Sequence, residues 1–120
     1  MLLSTRAQLT VGGTSSCAGC GQSTAVRLML SSTGFQFGAE NVGVVAAAGC
    51  DSVYGAVFPY NPYKVPWTNT LSGNAPADAL GIRRSWDREG HTGRKLWVLG
   101  SMENFAGTGL SALTALLASG

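Results

Sequence analysis

The sequence predicts a single α/β domain with a buried, mainly parallel sheet. Short apolar runs alternate with helical stretches along the 120 residues, and glycines separate them. The run 41–48 consists almost entirely of small and β-branched side chains, as strands buried on both faces do. A hydrophobic content of 45% in a chain of this length suits one domain of ordinary size, so two domains are not expected.

The first helix is predicted over 22–32. This segment places Val26, Met29 and Leu30 at helical spacing and contains neither Gly nor Pro. The buried strand 41–48 follows it, so the first half of the chain is expected to pack a helix against a strand.

The next segment is predicted to be an ordered loop over 57–75. Prolines alternate with tyrosines within 58–66, and neither a helix nor a central strand accepts that pattern. The residues concerned are Pro59, Tyr60, Pro62, Tyr63 and Pro66.

The last third of the chain repeats the alternation of helix and strand. Pro76 is tolerated at the first position of a helix, which predicts a helix over 76–84. The segment 95–99 reads as a second buried strand. A final helix is predicted over 107–118, with Gly120 at its C-cap. Its apolar side carries Leu110, Leu113, Leu116 and Leu117.

Composition excludes several functional classes. Charged residues make up 12% of the chain, against roughly 25% in a typical soluble domain, which indicates that part of the surface faces another chain. The 8 basic and 6 acidic residues are scattered and leave a net charge of +2. No basic face for nucleic acid or anionic lipid is therefore expected.

No segment predicts export or membrane insertion. The start, 1–13, lacks the apolar core of a secretory signal. The longest weakly polar stretch, 107–118, falls well short of the roughly 20 residues that a membrane helix needs. An odd number of cysteines, 3, favours reduced, ligand-forming thiols over a disulfide framework. The sequence therefore predicts a cytoplasmic protein.

The cysteines form the first candidate site. The two residues between Cys17 and Cys20 let both thiolates turn onto one metal centre, and their small side chains let backbone N–H groups approach the sulfurs. Cys50 follows a strand end, where a loop at the carboxyl edge of a sheet brings it back to the pair; the alternative is a small buried hydrophobe. Structural zinc or a [4Fe–4S] cluster normally takes four ligands. His91, the one histidine, lies in a polar run flanked by glycines and is read as part of a solvated loop, with a fourth metal ligand as the alternative.

The second candidate site follows the strand 95–99. A strand that leads through glycine and a polar turn into a helix presents helix N-terminal amides to a phosphate. Gly107, Thr108 and Gly109 would allow close backbone approach to such a group. A simple glycine-containing start of the helix explains the same residues.

Four motifs in order carry a resemblance to a known family. The chain reads CAGCG at 17–21, AGCDSVYG at 48–55, PWTNTL at 66–71 followed by Asn74, and a helix-forming stretch at 110–120. It resembles the β-subunit, or C-terminal domain, of pyruvate:ferredoxin and related 2-oxoacid:ferredoxin oxidoreductases from about residue 16 to its end. The resemblance implies a thiamine-diphosphate-binding, doubly wound and mainly parallel sheet, here truncated to an amino-terminal fragment.

The resemblance also implies the ligands of a cluster. In the family, the C-x-x-C pair and the cysteine of the later Gly-Cys motif are three of the four thiolates that hold a [4Fe–4S] cluster. Cys17, Cys20 and Cys50 inherit that role. The fourth family cysteine comes much later in the family's chains.

The activity implied is the oxidative decarboxylation of a pyruvate-like 2-oxoacid to acyl-CoA, with electrons passed to ferredoxin. Thiamine diphosphate, Mg²⁺ and the [4Fe–4S] cluster carry the chemistry. Other oxidoreductase subunits or domains are the expected partners, in a hetero-oligomer, and the chain alone is expected to be inactive. The expected thiamine-diphosphate site comprises Gly49, Asp51, Asn74, Gly100, Ser101, Glu103 and Asn104.

By the same resemblance the chain divides into four regions. An N-terminal arm, 1–15, precedes a Cys-rich cluster-binding region, 16–56. The ordered loop, 57–75, leads to a strand and helices around the diphosphate motif, 76–120.

Three positions depart from the family pattern. Met102 stands where the family has the Asp that binds Mg²⁺, and a thioether is a poor ligand for that ion. Glu103 next to it offers carboxylate oxygens instead. Gln22 replaces a Glu that is usual in the pyruvate enzymes, and Asp51 stands where Ser or Thr is common. These departures leave a second reading, a non-catalytic metal- or cluster-binding assembly module with a degenerate thiamine site.

Overall fold

A computed structural model describes residues 8–12, 14–53, 55 and 61–119. It is an α/β fold, as predicted. Within the described residues the sheet has three strands in the order β2-β1-β3, and both pairings are parallel. The strands are β1, Val42–Ala47; β2, Trp67–Thr70; and β3, Lys95–Leu99.

The central strand, β1, confirms the buried strand expected at 41–48. All six of its residues are buried. Its alternate side chains enter two different apolar clusters: Val42 and Val44 face one way, whereas Val45 and Ala47 face the other. Small and β-branched side chains suit this position because both faces of the strand are covered.

Helices cover both faces of the sheet. The first helix, α1, spans Gly21–Phe37 and packs Val26 and Leu30 against one face of β1. The predicted helix at 22–32 is thus confirmed and continues for five further residues. The third helix, α3, spans Ala75–Arg88 and packs Ala75 and Ala79 against the other face. It begins one residue before the predicted start and runs four residues beyond the predicted end.

The edge strand β2 was not predicted. It lies inside the segment 57–75, and the prediction of a loop is wrong for these four residues. Polar side chains dominate Trp67–Thr70, because an edge strand is only partly buried and so lacks the apolar run of a central one. The described part of the proline-rich segment, 61–66, has no regular structure except one antiparallel bridge between Thr10 and Tyr63. Pro59 and Tyr60 lie outside the described residues.

The strand β3 is confirmed, but its predicted burial is wrong for four of five residues. Only Leu99 is buried, and Lys95 is exposed. β3 is the other edge of the described sheet, so its side chains are only partly covered. Trp97 packs with the α1 side of the sheet, and Leu96 and Val98 pack with the α3 side.

The last helix begins later than predicted. A π-helical segment, Glu103–Thr108, precedes Gly109, and the α-helix α4 spans Leu110–Ala118. Leu113 and Leu116 are half-buried, whereas Leu110 and Leu117 are exposed, so only half of the predicted apolar side contacts the domain. Ser119 occupies the C-cap, and the predicted cap, Gly120, lies outside the described residues. None of the described helices is long and apolar enough to cross a membrane.

Candidate functional site

The carboxyl edge of the sheet collects the residues expected at the cofactor site. Because the three strands are parallel, their carboxyl ends lie at one edge. β1 leads into a short helix, α2, Cys50–Val53; β2 leads into a 3₁₀ turn, Ser72–Asn74; and β3 leads into the π-helical segment. The predicted residues that follow the strands are Gly49, Cys50, Asp51, Asn74, Gly100, Ser101, Glu103 and Asn104.

A hydrogen bond brings the start of α1 to the same edge. The side-chain amide nitrogen Nε2 of Gln22 donates to Oδ1 of Asp51 across 2.7 Å, although the two residues are 29 positions apart. Cys20 lies two residues before Gln22, and Cys50 lies directly before Asp51. The bond therefore joins the C-x-x-C turn to the segment that carries the third cysteine.

The C-x-x-C turn is chemically suited to thiolate. The N–H of Cys20 donates to the carbonyl of Cys17 across 3.1 Å, which closes the turn, and Gly19 adopts a φ of 72° that favours glycine. The backbone N–H of Ser23 is the main cause that lowers the pKa of the Cys20 thiol; the Ser23 hydroxyl and the N–H of Gln22 add to it. Partial burial and the negative charge of Asp51 act in the opposite direction.

The three cysteines are free thiols at or near the surface. Cys17 and Cys50 are exposed and Cys20 is half-buried, so the reading of Cys50 as a buried hydrophobe is wrong. Among the described residues, no three His, Cys, Asp or Glu side chains form a group that could hold a metal ion. The turn fits a pair of thiolate ligands, and the three-cysteine ligand set stays a prediction.

His91 is not brought to the cysteines. It lies before β3, at the opposite edge of the sheet from Cys50, and its Nε2 is 3.8 Å from an oxygen of Glu89. Its side chain is 42% exposed, as the reading of a solvated loop predicts.

The turn after β3 is fastened to the end of β1. Asn104 is buried, and its Nδ2 donates to the carbonyl oxygen of Ala48 across 3.0 Å. Its amide nitrogen is thus used inside the protein. Met102, in the position of the expected Mg²⁺ ligand, is 80% exposed, and Glu103 beside it is also exposed.

Glycines near the start of α4 serve internal packing. A Cβ on Gly109 would lie 2.3 Å from the carbonyl oxygen of Asn104 and 2.9 Å from that of Gly73. A Cβ on Gly73 would lie 2.2 Å from Oγ1 of Thr108. At Thr108 and Gly109 the close approach is therefore made by the protein itself, between the 3₁₀ turn after β2 and the π-helical segment, whereas a Cβ on Gly107 would meet nothing within 4 Å.

Tyr63 is a site residue that no motif in the sequence indicates. Its ring stacks on Trp67 with centroids 5.7 Å apart, and its hydroxyl donates to the backbone carbonyl of Asp51 across 3.3 Å. It therefore ties α2 to β2. The sequence signalled only that Tyr63 sits in an ordered segment, because a contact over 12 residues leaves no local pattern.

Exposed apolar side chains surround the candidate site. Val53 is 53% exposed, Leu71 is 75% exposed and Met102 is 80% exposed. Each follows a different strand at the carboxyl edge. We call these three residues the apolar rim.

No protein-family model matches the sequence. Curated relatives do. The chain is 38% identical over 110 residues to the pyruvate synthase subunit PorB of Pyrococcus furiosus, across 88% of this chain and 33% of the relative. It is 37% identical over 115 residues to the PorB subunit of Pyrococcus horikoshii, across 90% and 34%. The PorB subunit of Methanothermobacter thermautotrophicus is 30% identical over 104 residues, across 87% and 34%. The chain thus spans about a third of the length of these relatives.

Proposed function

We propose, from the premise that this chain belongs to the β-subunit family of the 2-oxoacid:ferredoxin oxidoreductases, that it forms the cluster-binding and thiamine-binding region of such a subunit. The whole protein would oxidatively decarboxylate a pyruvate-like 2-oxoacid to acyl-CoA and pass the electrons to ferredoxin. The similarity to three PorB subunits of pyruvate synthase supports the reaction class.

The observation that carries the proposal is the 2.7 Å hydrogen bond between Gln22 and Asp51. It joins the two cysteine motifs at the edge of the sheet where α/β proteins bind ligands. Without this bond, the motifs that carry Cys20 and Cys50 would have no direct contact to relate them, only a separation of 30 positions in the sequence.

Cys17, Cys20 and Cys50 would supply three thiolates to a [4Fe–4S] cluster, with the fourth ligand coming from elsewhere. When bound, the cluster accepts electrons one at a time. The residues of the C-x-x-C turn favour this role because the N–H groups of Ser23 and Gln22 stabilise negative charge on the Cys20 sulfur.

Thiamine diphosphate and Mg²⁺ would bind at the carboxyl edge, where the thiamine supplies the carbanion chemistry. Gly49 and Asp51 after β1 and Asn74 after β2 would line this site. Gly100, Ser101, Glu103 and Asn104 after β3 would lie near the diphosphate, and Glu103 would offer the metal an oxygen in place of the missing Asp. Asn104 holds this turn against Ala48, so the chain's own residues fix the separation of the strand ends.

The apolar rim supports a partner chain at this edge. Val53, Leu71 and Met102 are all more than half exposed, and a charged content of 12% is low for a free surface. A subunit or domain that covers the rim would also exclude water from the reaction. We expect a hetero-oligomer with other oxidoreductase subunits, with coenzyme A and ferredoxin as reaction partners.

The cluster assignment is tested by anaerobic purification of the complete complex. Replacing Cys17 or Cys50 by Ser should abolish the broad visible absorbance and the bound iron and sulfide. His91→Gln is the matched control, because His91 lies at the other edge of the sheet, and it should retain both. Full iron and sulfide in the Cys50→Ser complex would contradict the assignment.

Met102 favours a second candidate function, a non-catalytic assembly module that binds a cluster or metal. Its thioether replaces the expected metal ligand and is 80% exposed. The two functions separate by ligand binding. A functional thiamine site predicts that thiamine diphosphate with Mg²⁺ stabilises the assembled complex, by about 2.7 kcal/mol at a hundredfold excess over Kd. No stabilisation would favour the assembly module.

A further inference from the structure

The bond between Gln22 and Asp51 has a defined direction. Gln22 is the second residue of α1, and Asp51 is the second residue of α2 and only 4% exposed. The amide Nε2 donates and the carboxylate Oδ1 accepts across 2.7 Å. A hydrogen bond of this length to a charged group is stronger than one between neutral groups. The contact therefore requires a donor at position 22 as long as position 51 is a carboxylate.

The segment on the Asp51 side is itself fixed to the sheet. Tyr63 donates to the carbonyl oxygen of Asp51, and its ring stacks on Trp67 at the start of β2. The N–H of Val53 donates to the carbonyl of Gly49 across 3.0 Å, which closes the turn around Cys50. A residue that binds Asp51 is thus linked to β2 through Tyr63.

The Gln22 side leads directly to the C-x-x-C turn. Gln22 lies in the first turn of α1, and the N–H of Thr24 donates to the carbonyl of Cys20 across 3.2 Å. The side chains of Ser23 and Thr24 also donate to that carbonyl, at 3.0 and 3.1 Å. Cys20 is therefore part of the same hydrogen-bonded turn as Gln22, so a displacement of Gln22 is expected to displace the thiol.

We infer that Gln22 is a positioning residue that, through Asp51, sets the separation between the Cys17–Cys20 turn and Cys50. This inference rests on the proposed function, because it assigns Gln22 a role only if the three cysteines share a cluster. It adds a second role for the buried carboxylate, which belongs to the residue directly after Cys50. A negative charge near an iron–sulfur cluster lowers its reduction potential.

Four variants of the complete complex separate the hydrogen bond from the charge. Gln22→Leu removes the donor and adds no charge. Gln22→Glu sets two carboxylates against each other. Asp51→Asn keeps an acceptor for Gln22 and removes the charge. The double variant with Gln22→Glu and Asp51→Asn restores a donor and an acceptor with their direction reversed.

The first readout is the rate at which the cluster is lost to an iron chelator under anaerobic conditions. Gln22→Leu and Gln22→Glu should lose the cluster about tenfold faster than the unchanged complex, because a hydrogen bond to a charged group is lost. Asp51→Asn should lose it at nearly the original rate, and the double variant should recover most of the difference.

The second readout is the midpoint potential of the cluster, which a merely structural role would not move. Asp51→Asn should raise it, whereas Gln22→Leu should leave it nearly unchanged in the complexes that still hold a cluster. Equal rates of cluster loss in all four variants would overturn the inference. An unchanged complex that binds no cluster would instead overturn the proposed function, so the two failures are distinguishable.

Discussion

The side-chain amide of Asn104 donates to the carbonyl oxygen of Ala48 across 3.0 Å and so connects the turn after β3 to the end of β1. Asn104 is 4% exposed and 56 residues away from Ala48 in sequence. This bond fixes two of the three strand ends that form the candidate site. It also gives a first test of how the edge is held.

Asn104→Ala should loosen the carboxyl edge. The change leaves the carbonyl of half-buried Ala48 without this donor, and the loss of such a hydrogen bond costs about 0.5–1.5 kcal/mol. Hydrogen exchange in the complete protein should show faster opening of the π-helical segment. Ser101→Ala, at an exposed neighbour, is the control and should have little effect. Equal protection in the two variants would argue against a structural role for the Asn104 amide.

Alanine substitutions at Gly109 and at Gly107 should change the stability of the fold by different amounts. Gly109→Ala places a methyl group 2.3 Å from the carbonyl oxygen of Asn104, so the backbone must shift at a cost of about 1–3 kcal/mol. A Cβ on Gly107 would meet nothing within 4 Å. Gly107→Ala should therefore be neutral or slightly stabilising. Thermal unfolding of the complete protein measures both, and an unaffected Gly109→Ala variant would contradict the packing described.

Thr33 should stabilise the contact between α1 and β3. Its hydroxyl accepts from Nε1 of Trp97 at 3.0 Å and donates to the carbonyl of Met29 at 2.9 Å. Thr33→Val removes both bonds at similar volume and should cost about 1–2 kcal/mol, while Thr33→Ser should keep most of the stability. Hydrogen exchange of β3 amides is the measurement. A Val variant as protected as the Ser variant would show that the hydroxyl contributes nothing.

Asp87 should make the end of α3 sensitive to acid. Hydrogen bonds from Arg83, with its positive charge, hold the pKa of this carboxyl below its ordinary value. A carboxyl group whose pKa is lower in the folded than in the unfolded state stabilises the fold at pH values above its unfolded pKa, which is about 4. That stabilisation is lost as the pH falls through the folded pKa.

The measurement is hydrogen exchange near residues 87–94 between neutral pH and about pH 3, after correction for the intrinsic rate. Asp87→Asn should flatten the acid-induced loss of protection. Arg83 also donates to the carbonyls of His91 and Arg94 at 3.1 and 2.7 Å, so part of the local structure should remain in that variant. An acid response as large as that of the unchanged protein would contradict the assignment to Asp87.

The helices α1 and α3 and the strand β1 could be predicted from the sequence because each carries a local signal. Helical spacing marks Val26 and Leu30, Pro76 marks the start of α3, and an unbroken run of small and β-branched residues marks β1. The strand β2 carried no such signal, since Trp67–Thr70 is a polar edge strand. The sequence also did not indicate that β3 is only half-buried, because an apolar run of residues looks the same in a covered central strand and in an edge strand.

The sequence by itself determined the α/β class, the central strand and the motifs that carry Cys17, Cys20 and Cys50. These depend on spacing between near neighbours, which a sequence displays directly. Only the tertiary structure decided that Gln22 meets Asp51 and that Asn104 meets Ala48. Such pairs join residues 29 and 56 positions apart. Their geometry depends on how helices and strands pack, and no local pattern of polar residues encodes that distance.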